Sequence, residues 1–141
     1  MIFERFKPEH MDEIELLDNQ QLAREFLSHD KLQLMAEAGP AYTARDGNRL
    51  ILCSAGLDES LPQASLIWCL MSVQARTHFV ALTRAARRLI SVASRPVVVA
   101  SVQDGFAPGC RLLTLLGFEH VTEACFEGPD TAHYLIYRRF V

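Results

Sequence analysis

The spacing of apolar positions along this chain switches several times between a period of two and a period of three to four, and most switches carry Gly, Pro or Asp. Ile2, Glu4 and Phe6 alternate with Phe3 and Arg5, which predicts a short strand closed by Pro8. From there Met11, Ile14 and Leu17 fall at helical spacing behind Glu9, Asp12 and Glu13, whose charge suits the start of a helix. Asp18 or Asn19 caps a second helix carrying Leu22, Phe26 and Leu27. It resumes as Leu32, Met35 and Ala36 after a break near residues 28–30, and Gly39-Pro40 stops it.

Two β-rich runs, residues 42–45 and 50–53, flank Asp46-Gly47-Asn48, a hairpin signal because Asp-Gly tolerates the positive φ of tight turns. After a loop over 58–63, residues 65–71 form an almost unbroken apolar run, which predicts a central strand covered on both faces. Thr77 is placed to cap a helix from His78 to about Ala93, with Phe79, Leu82, Ala86, Leu89, Ile90 and Ala93 inward. Val97-Val98-Val99 begins another strand, parallel to 66–71 because a helix joins them. Pro108 opens a short helix with Cys110, Leu112, Leu113 and Leu116 on one side, and Gly117 follows its end. The chain closes with a hairpin, 118–126 and 133–140, around the turn Glu127-Gly128-Pro129-Asp130.

At 141 residues the chain is expected to be one domain, residues 1–141, able to bury roughly 70% of the surface its unfolded form exposes. A net charge of −3 and a hydrophobic share of 50% argue against disorder and against nucleic acid as a partner. Arg84, Arg87 and Arg88, with Arg76 upstream, are either a solvated helix face or a positive rim beside a phosphate-bearing ligand. Cys53, Cys69, Cys110 and Cys125 lie far apart in apolar segments, so they read as small buried hydrophobes in a reducing compartment, and no metal site is expected. Trp68 and Tyr42 read as core, and His29, His120 and His133 are scattered. No leader or membrane span is legible, so a cytoplasmic location with no membrane partner is expected.

The element order β, α, α, β, β, β, α, β, α, β, β, together with Leu116-Gly117-Phe118 at the close of the last helix, resembles the GNAT superfamily of N-acetyltransferases. The Trp68 strand, Arg76-Thr77-His78-Phe79 and Arg111-Leu112-Leu113 most resemble small GNAT-like proteins of phages and prophages, some associated with internal virion proteins. The resemblance implies an α/β (α+β) fold with a mixed central sheet of about seven strands and helices on both faces. It also implies acetyl-CoA as cosubstrate, an amine acceptor of unspecified kind, and a bacterial host cell or virion as location.

In active members an Arg/Gln-x-x-Gly-x-Gly/Ala loop after the central strand binds the pyrophosphate through its amides, but residues 74–82 contain no glycine. Amides near Arg76, Thr77, His78 and Phe79 remain the candidate phosphate site, against the plainer reading of Thr77 as a cap and His78 as a surface residue. Met71, Ser72 and Val73 would supply the strand edge that receives pantetheine. Ser101 would meet the arm or merely end its strand. Many members place a tyrosine acid where Leu113 stands here, and Glu59 is the one nominee for a base. Two functions stay open: an acetyl-CoA-dependent N-acetyltransferase, or a degenerate GNAT-shaped protein acting as a phage accessory, virion or host-interaction factor. A homodimer through the edge of strand 133–140 is a further expectation.

Overall fold

The computed structural model describes residues 1–21, 23–47, 49–128 and 133–140, with the side chains of Glu123 and Ala124 left aside. Leu22, Asn48 and the Pro129-Asp130 part of the expected turn lie outside the described residues. Seven strands form one mixed sheet: β1 (Ile2–Arg5), β2 (Ala41–Asp46), β3 (Leu50–Asp58), β4 (Ser65–Met71), β5 (Val97–Gln103), β6 (Glu119–Glu127) and β7 (His133–Phe140). Their spatial order is β1-β2-β3-β4-β5-β7-β6. Every neighbouring pair is antiparallel except β4 and β5, as a helical crossover between these two requires.

One face carries α1 (His10–Glu13), α2 (Ala23–Phe26) and α3 (His29–Glu37); the other carries α4 (Phe79–Ser91) and α5 (Ala107–Leu115). Under the first group lie Phe6, Met11, Ile14, Leu16, Leu32 and Leu70. Under the second lie Leu57, Leu89, Ile90, Val98, Ala100 and Phe118. Each such apolar side chain contributes about 1.5–3 kcal/mol by leaving water, so the two layers are what hold the helices on the sheet.

Several local expectations hold, and their chemistry is visible. Ser28 accepts from Lys31 N at 3.2 Å and so caps α3 at the expected break. Gly47 turns the hairpin at φ 59°. At the end of α5, Gly117 takes φ 89°, its N–H donates to Thr114 O at 3.0 Å, and Phe118 N donates to Leu113 O at 2.9 Å. This double bond is a Schellman close, and it sends the chain straight into β6.

Other segments depart from expectation. The helix foreseen through Leu17 stops at Glu13, because Ile14–Leu17 leave as extended chain and Leu16 bridges Ser72 beside the end of β4. Thr77 is not a cap: it lies in a 3₁₀ turn, Ala75–His78, and its hydroxyl donates to Gln74 O at 2.9 Å. Strand β7 sits between β5 and β6, so the edge proposed for pairing with another copy does not exist there; the edges are β1 and β6. Tyr42 is exposed rather than core, and Cys125 is exposed rather than buried.

Candidate active site

The parallel pair that decides the site is short. β4 and β5 are in register only at Ser65–Val98 and Leu66–Val99, after which the strands part while each continues for several residues. The parting opens a cleft of about 790 Å³ that passes through the sheet. On one face its wall includes Trp68, Leu70, Phe26 and Met35; on the other, Cys69, Met71, Phe79 and Leu82. The continuous apolarity of 65–71 predicted cover on both faces, yet Ile67, Trp68 and Cys69 are only half-buried because they line this opening. The buried indole N–H of Trp68 finds no hydrogen-bond partner among the described residues.

Along β4, Ser72 donates its N–H to Leu52 O on β3 at 2.9 Å, so the neighbouring odd-numbered residues turn their polar groups toward the parting. Those groups are taken by the chain's own segment 15–20. The Gln20 amide donates through Nε2 to Cys69 O at 3.0 Å and accepts at Oε1 from Met71 N at 2.7 Å. Leu17 N donates to Met71 O, and Val73 N donates to Glu15 O, each at 3.0 Å. A side-chain amide and a short extended stretch thus stand where a partner strand would be. Nothing in the apolar periodicity flags Gln20, which stands within the polar run Asp18-Asn19-Gln20-Gln21.

The residues foreseen for phosphate gather near the start of α4 but with most donors engaged. Gln74 N donates to Ser72 Oγ at 3.2 Å, Ala75 N to Ser72 O at 3.2 Å, and Thr77 N to Gln74 O at 3.4 Å. His78 turns away from the cleft, with Nδ1 2.9 Å from Thr77 Oγ1 and Nε2 3.7 Å from Asp46. Arg76 is exposed, and Phe79 lies at the mouth, lining both the cleft and a shallower trough of about 580 Å³ with Cys110, Arg111, Thr114 and Leu115. Ser101 is on the cleft wall, on the face opposite buried Ala100 and Val102.

Glu59 is not placed to be a base. Its Oε2 accepts from Ser65 Oγ at 2.7 Å, Ser94 N at 2.7 Å and Ser94 Oγ at 2.8 Å. That ties the loop before β4 to the loop before β5, at the paired end of the strands, while the cleft opens at the other end, roughly 20 Å along the strand. Partial burial pushes its carboxyl up, but the donors from Ser94 and Ser65, with Arg95 nearby, outweigh it and hold it below the usual carboxylate value.

The wall also brings together two thiols that sequence distance had separated. Cys53 on β3 and Cys69 on β4 sit diagonally across the ladder with Sγ atoms 3.3 Å apart. The hydrogen bond to Cys69 and full burial push the Cys53 thiol well up, so it stays protonated. Among the described residues no group of three or more His, Cys, Asp or Glu side chains is arranged to hold a metal, and no helix is long and apolar enough to cross a membrane.

The fold as a whole superposes on solved acetyltransferases over nearly the whole chain. The chain has the GNAT fold. A candidate phosphinothricin N-acetyltransferase superposes with TM-score 0.75 at 15% identity, covering 99% of this chain and 98% of that one. An aminoglycoside 6'-acetyltransferase type Ii gives 0.70 at 12% identity over 99% and 97%. A GNAT-family acetyltransferase from Bacillus anthracis gives 0.64 at 10% identity over 98% and 93%. No protein-family model and no curated protein matches the sequence. Within the GNAT fold, the cleft described above is the parting between the two parallel strands.

Proposed function

We propose that this chain is an N-acyltransferase that takes acetyl-CoA in the parting between β4 and β5 and passes the acetyl group to an amine. The observation that carries this reading is the parallel pair that ends after Leu66–Val99 although both strands run on. Main-chain pairing between the strands is given up over that length, and on the β4 side segment 15–20 holds the groups that β5 would otherwise meet. A thin ligand with amides of its own would lie along that edge by taking the place of the Gln20 amide.

In this reading the arm enters from the side of α4 and α5, and the trough beside Phe79 leads toward Arg111, with Arg76 at the turn. These cations stand in for the glycine loop that residues 74–82 lack, holding phosphates by charge rather than by backbone approach. At the inner end, the Met71 N–H is the donor that would polarise the thioester carbonyl once Gln20 lets go of it. The amine attacks the carbonyl carbon, the C–N bond forms, the C–S bond breaks, and the proton lost by nitrogen ends on the coenzyme sulfur. Positioning supplies most of the rate enhancement, because the site offers orientation and one backbone donor rather than a proton relay.

The second reading, a GNAT-shaped phage accessory or host-interaction factor without catalysis, is favoured by one observation: segment 15–20 already fills the β4 edge. Calorimetric titration with acetyl-CoA separates the two. Saturable binding in the micromolar range supports the transferase, and no binding at millimolar ligand leaves the accessory role.

A further inference from the structure

Among the described residues, the wall of the cleft carries no Asp, Glu, His or Lys, and its one charged side chain is Arg88. Seven of its lining residues are aromatic, among them Trp68, Phe26 and Tyr134 on or beside the face of α2 and α3. We infer that the amine acceptor is a weakly basic aromatic amine or hydrazine, uncharged at neutral pH, and not a polyamine or an aminoglycoside. This rests on the transferase reading above and narrows its substrate.

The argument is one of charge and proton balance. An aliphatic amine resembles lysine, with a proton affinity near 10.4, so on the order of one molecule in a thousand is neutral at pH 7. To react it must shed a proton, and the ammonium must first leave water for an apolar wall. A carboxylate or imidazole in the wall would cover both costs. Here the remaining titratable groups on the wall are the Cys53 and Cys69 thiols and the Tyr42 and Tyr134 phenols. The hydrogen bond to Cys69 and burial hold Cys53 protonated. Among the described residues no carboxylate or imidazole stands on the wall to take a proton from an alkylammonium, and Arg88 repels it.

An aromatic amine meets neither cost. Its lone pair is delocalised into the ring, so it is already neutral, and its ring matches side chains such as Trp68 and Phe26 by stacking. The balance is complete without a protein base: Ar–NH₂ and CH₃CO–S–CoA give Ar–NH–COCH₃ and HS–CoA, the nitrogen's proton moving to the departing sulfur.

The test uses the full chain with acetyl-CoA and four acceptors: 4-methoxyaniline, phenylhydrazine, 2-phenylethylamine and spermidine, with acetylated product read by mass spectrometry between pH 6 and 9. Expected is at least tenfold higher kcat/KM at pH 7 for 4-methoxyaniline and phenylhydrazine, with profiles that stay flat with pH. Any turnover of 2-phenylethylamine should climb about tenfold per pH unit, tracking its free-base fraction. Spermidine as the best acceptor, or a flat profile for 2-phenylethylamine, overturns the inference, since either needs a proton acceptor or anion that the wall lacks. Saturable acetyl-CoA binding with no product from either aromatic acceptor overturns the inference alone. Absence of acetyl-CoA binding overturns the transferase reading together with it.

Discussion

The β4–β5 pair is closed at its two ends by different chemistry. At the start of the strands, main-chain register at Ser65 and Leu66 is reinforced by one carboxylate, Glu59, that receives three hydrogen bonds from Ser65 and Ser94. At the far end no β4–β5 pairing remains, and Cys69 O and Met71 N are satisfied by the neutral amide of Gln20. A charged acceptor with several short donors is expensive to replace, whereas a neutral amide exchanges readily with another amide of similar geometry. One end is therefore held as by a pin, and the other as by a clasp of two neutral hydrogen bonds.

Breaking the pin should have the largest effect. Glu59→Ala leaves the fully buried Ser65 hydroxyl and the Ser94 N–H without their acceptor, and a loss of about 2–4 kcal/mol in urea unfolding is expected. Acetyl-CoA affinity measured on the folded fraction should be unchanged. Crowding the wall comes next. A Cβ at Gly56 would lie 2.7 Å from the Trp68 ring and 2.8 Å from the Ala41 side chain, so Gly56→Ala should cost about 1–3 kcal/mol and displace the indole, visible as a changed tryptophan emission.

Undoing the clasp should cost less than breaking the pin. Gln20→Ala removes two neutral hydrogen bonds at a site that water can reach, worth about 1–2 kcal/mol by thermal or urea unfolding. It should tighten acetyl-CoA binding several-fold by calorimetry, because the ligand no longer competes with the chain's own amide. Weaker binding in this variant would mean that Gln20 holds the coenzyme rather than its place.

A pH series sharpens the contrast from outside the cleft. His10 is buried between Glu4, 2.7 Å from Nε2, and Thr43, 2.8 Å from Nδ1, with Thr43 in turn 2.8 Å from Ser54. Burial pushes its proton affinity below the ordinary value of 6.5, and Glu4 offsets this only in part. The unfolded chain then binds the proton more readily than the folded one. The stability tied to neutral His10 is present above pH 6.5 and is lost as pH falls through the lower folded value. Unfolding midpoints should drop between pH 7.5 and 5.5, and His10→Gln should flatten that slope. The contribution of Glu59 lies lower, since its folded value is below the ordinary 4.5, so the pin loosens only in stronger acid. The smallest effect is chemical: a maleimide should modify exposed Cys125 first and Cys53 last, read by mass spectrometry.

Most of the fold was legible because its elements are announced by local chemistry. Asp46-Gly47, Ser28, Pro108 and Leu116-Gly117-Phe118 each fix a turn or a helix end through a backbone preference that needs no tertiary partner. The misses share a different cause. Ile14 to Leu17 keep a helical apolar rhythm, but their backbone pairs with the end of β4, and long-range pairing overrode spacing. Glu59 was nominated as a base because its partners, Ser65 at the start of β4 and Ser94 before β5, tie it into the structure only once the strands meet. Gln20 and the Cys53–Cys69 contact were invisible for the same reason, since each exists only once distant segments meet. The parting of the strands has no counterpart in the apolar pattern of residues 65–71 or 97–103, which reads as two ordinary buried strands.

The placement of β7 between β5 and β6 also governs how the molecule can be assembled. β5 is in register with β7 from Val97–Phe140 through Gln103–Tyr134, so half of its hydrogen-bonding capacity waits for the last strand made. Until then the nascent polypeptide holds an unfinished sheet whose growing margin is β5, an invitation to intermolecular addition. Premature termination anywhere before His133 would leave that margin permanently open, and such products should be found in inclusion bodies or degraded rather than as shortened soluble species.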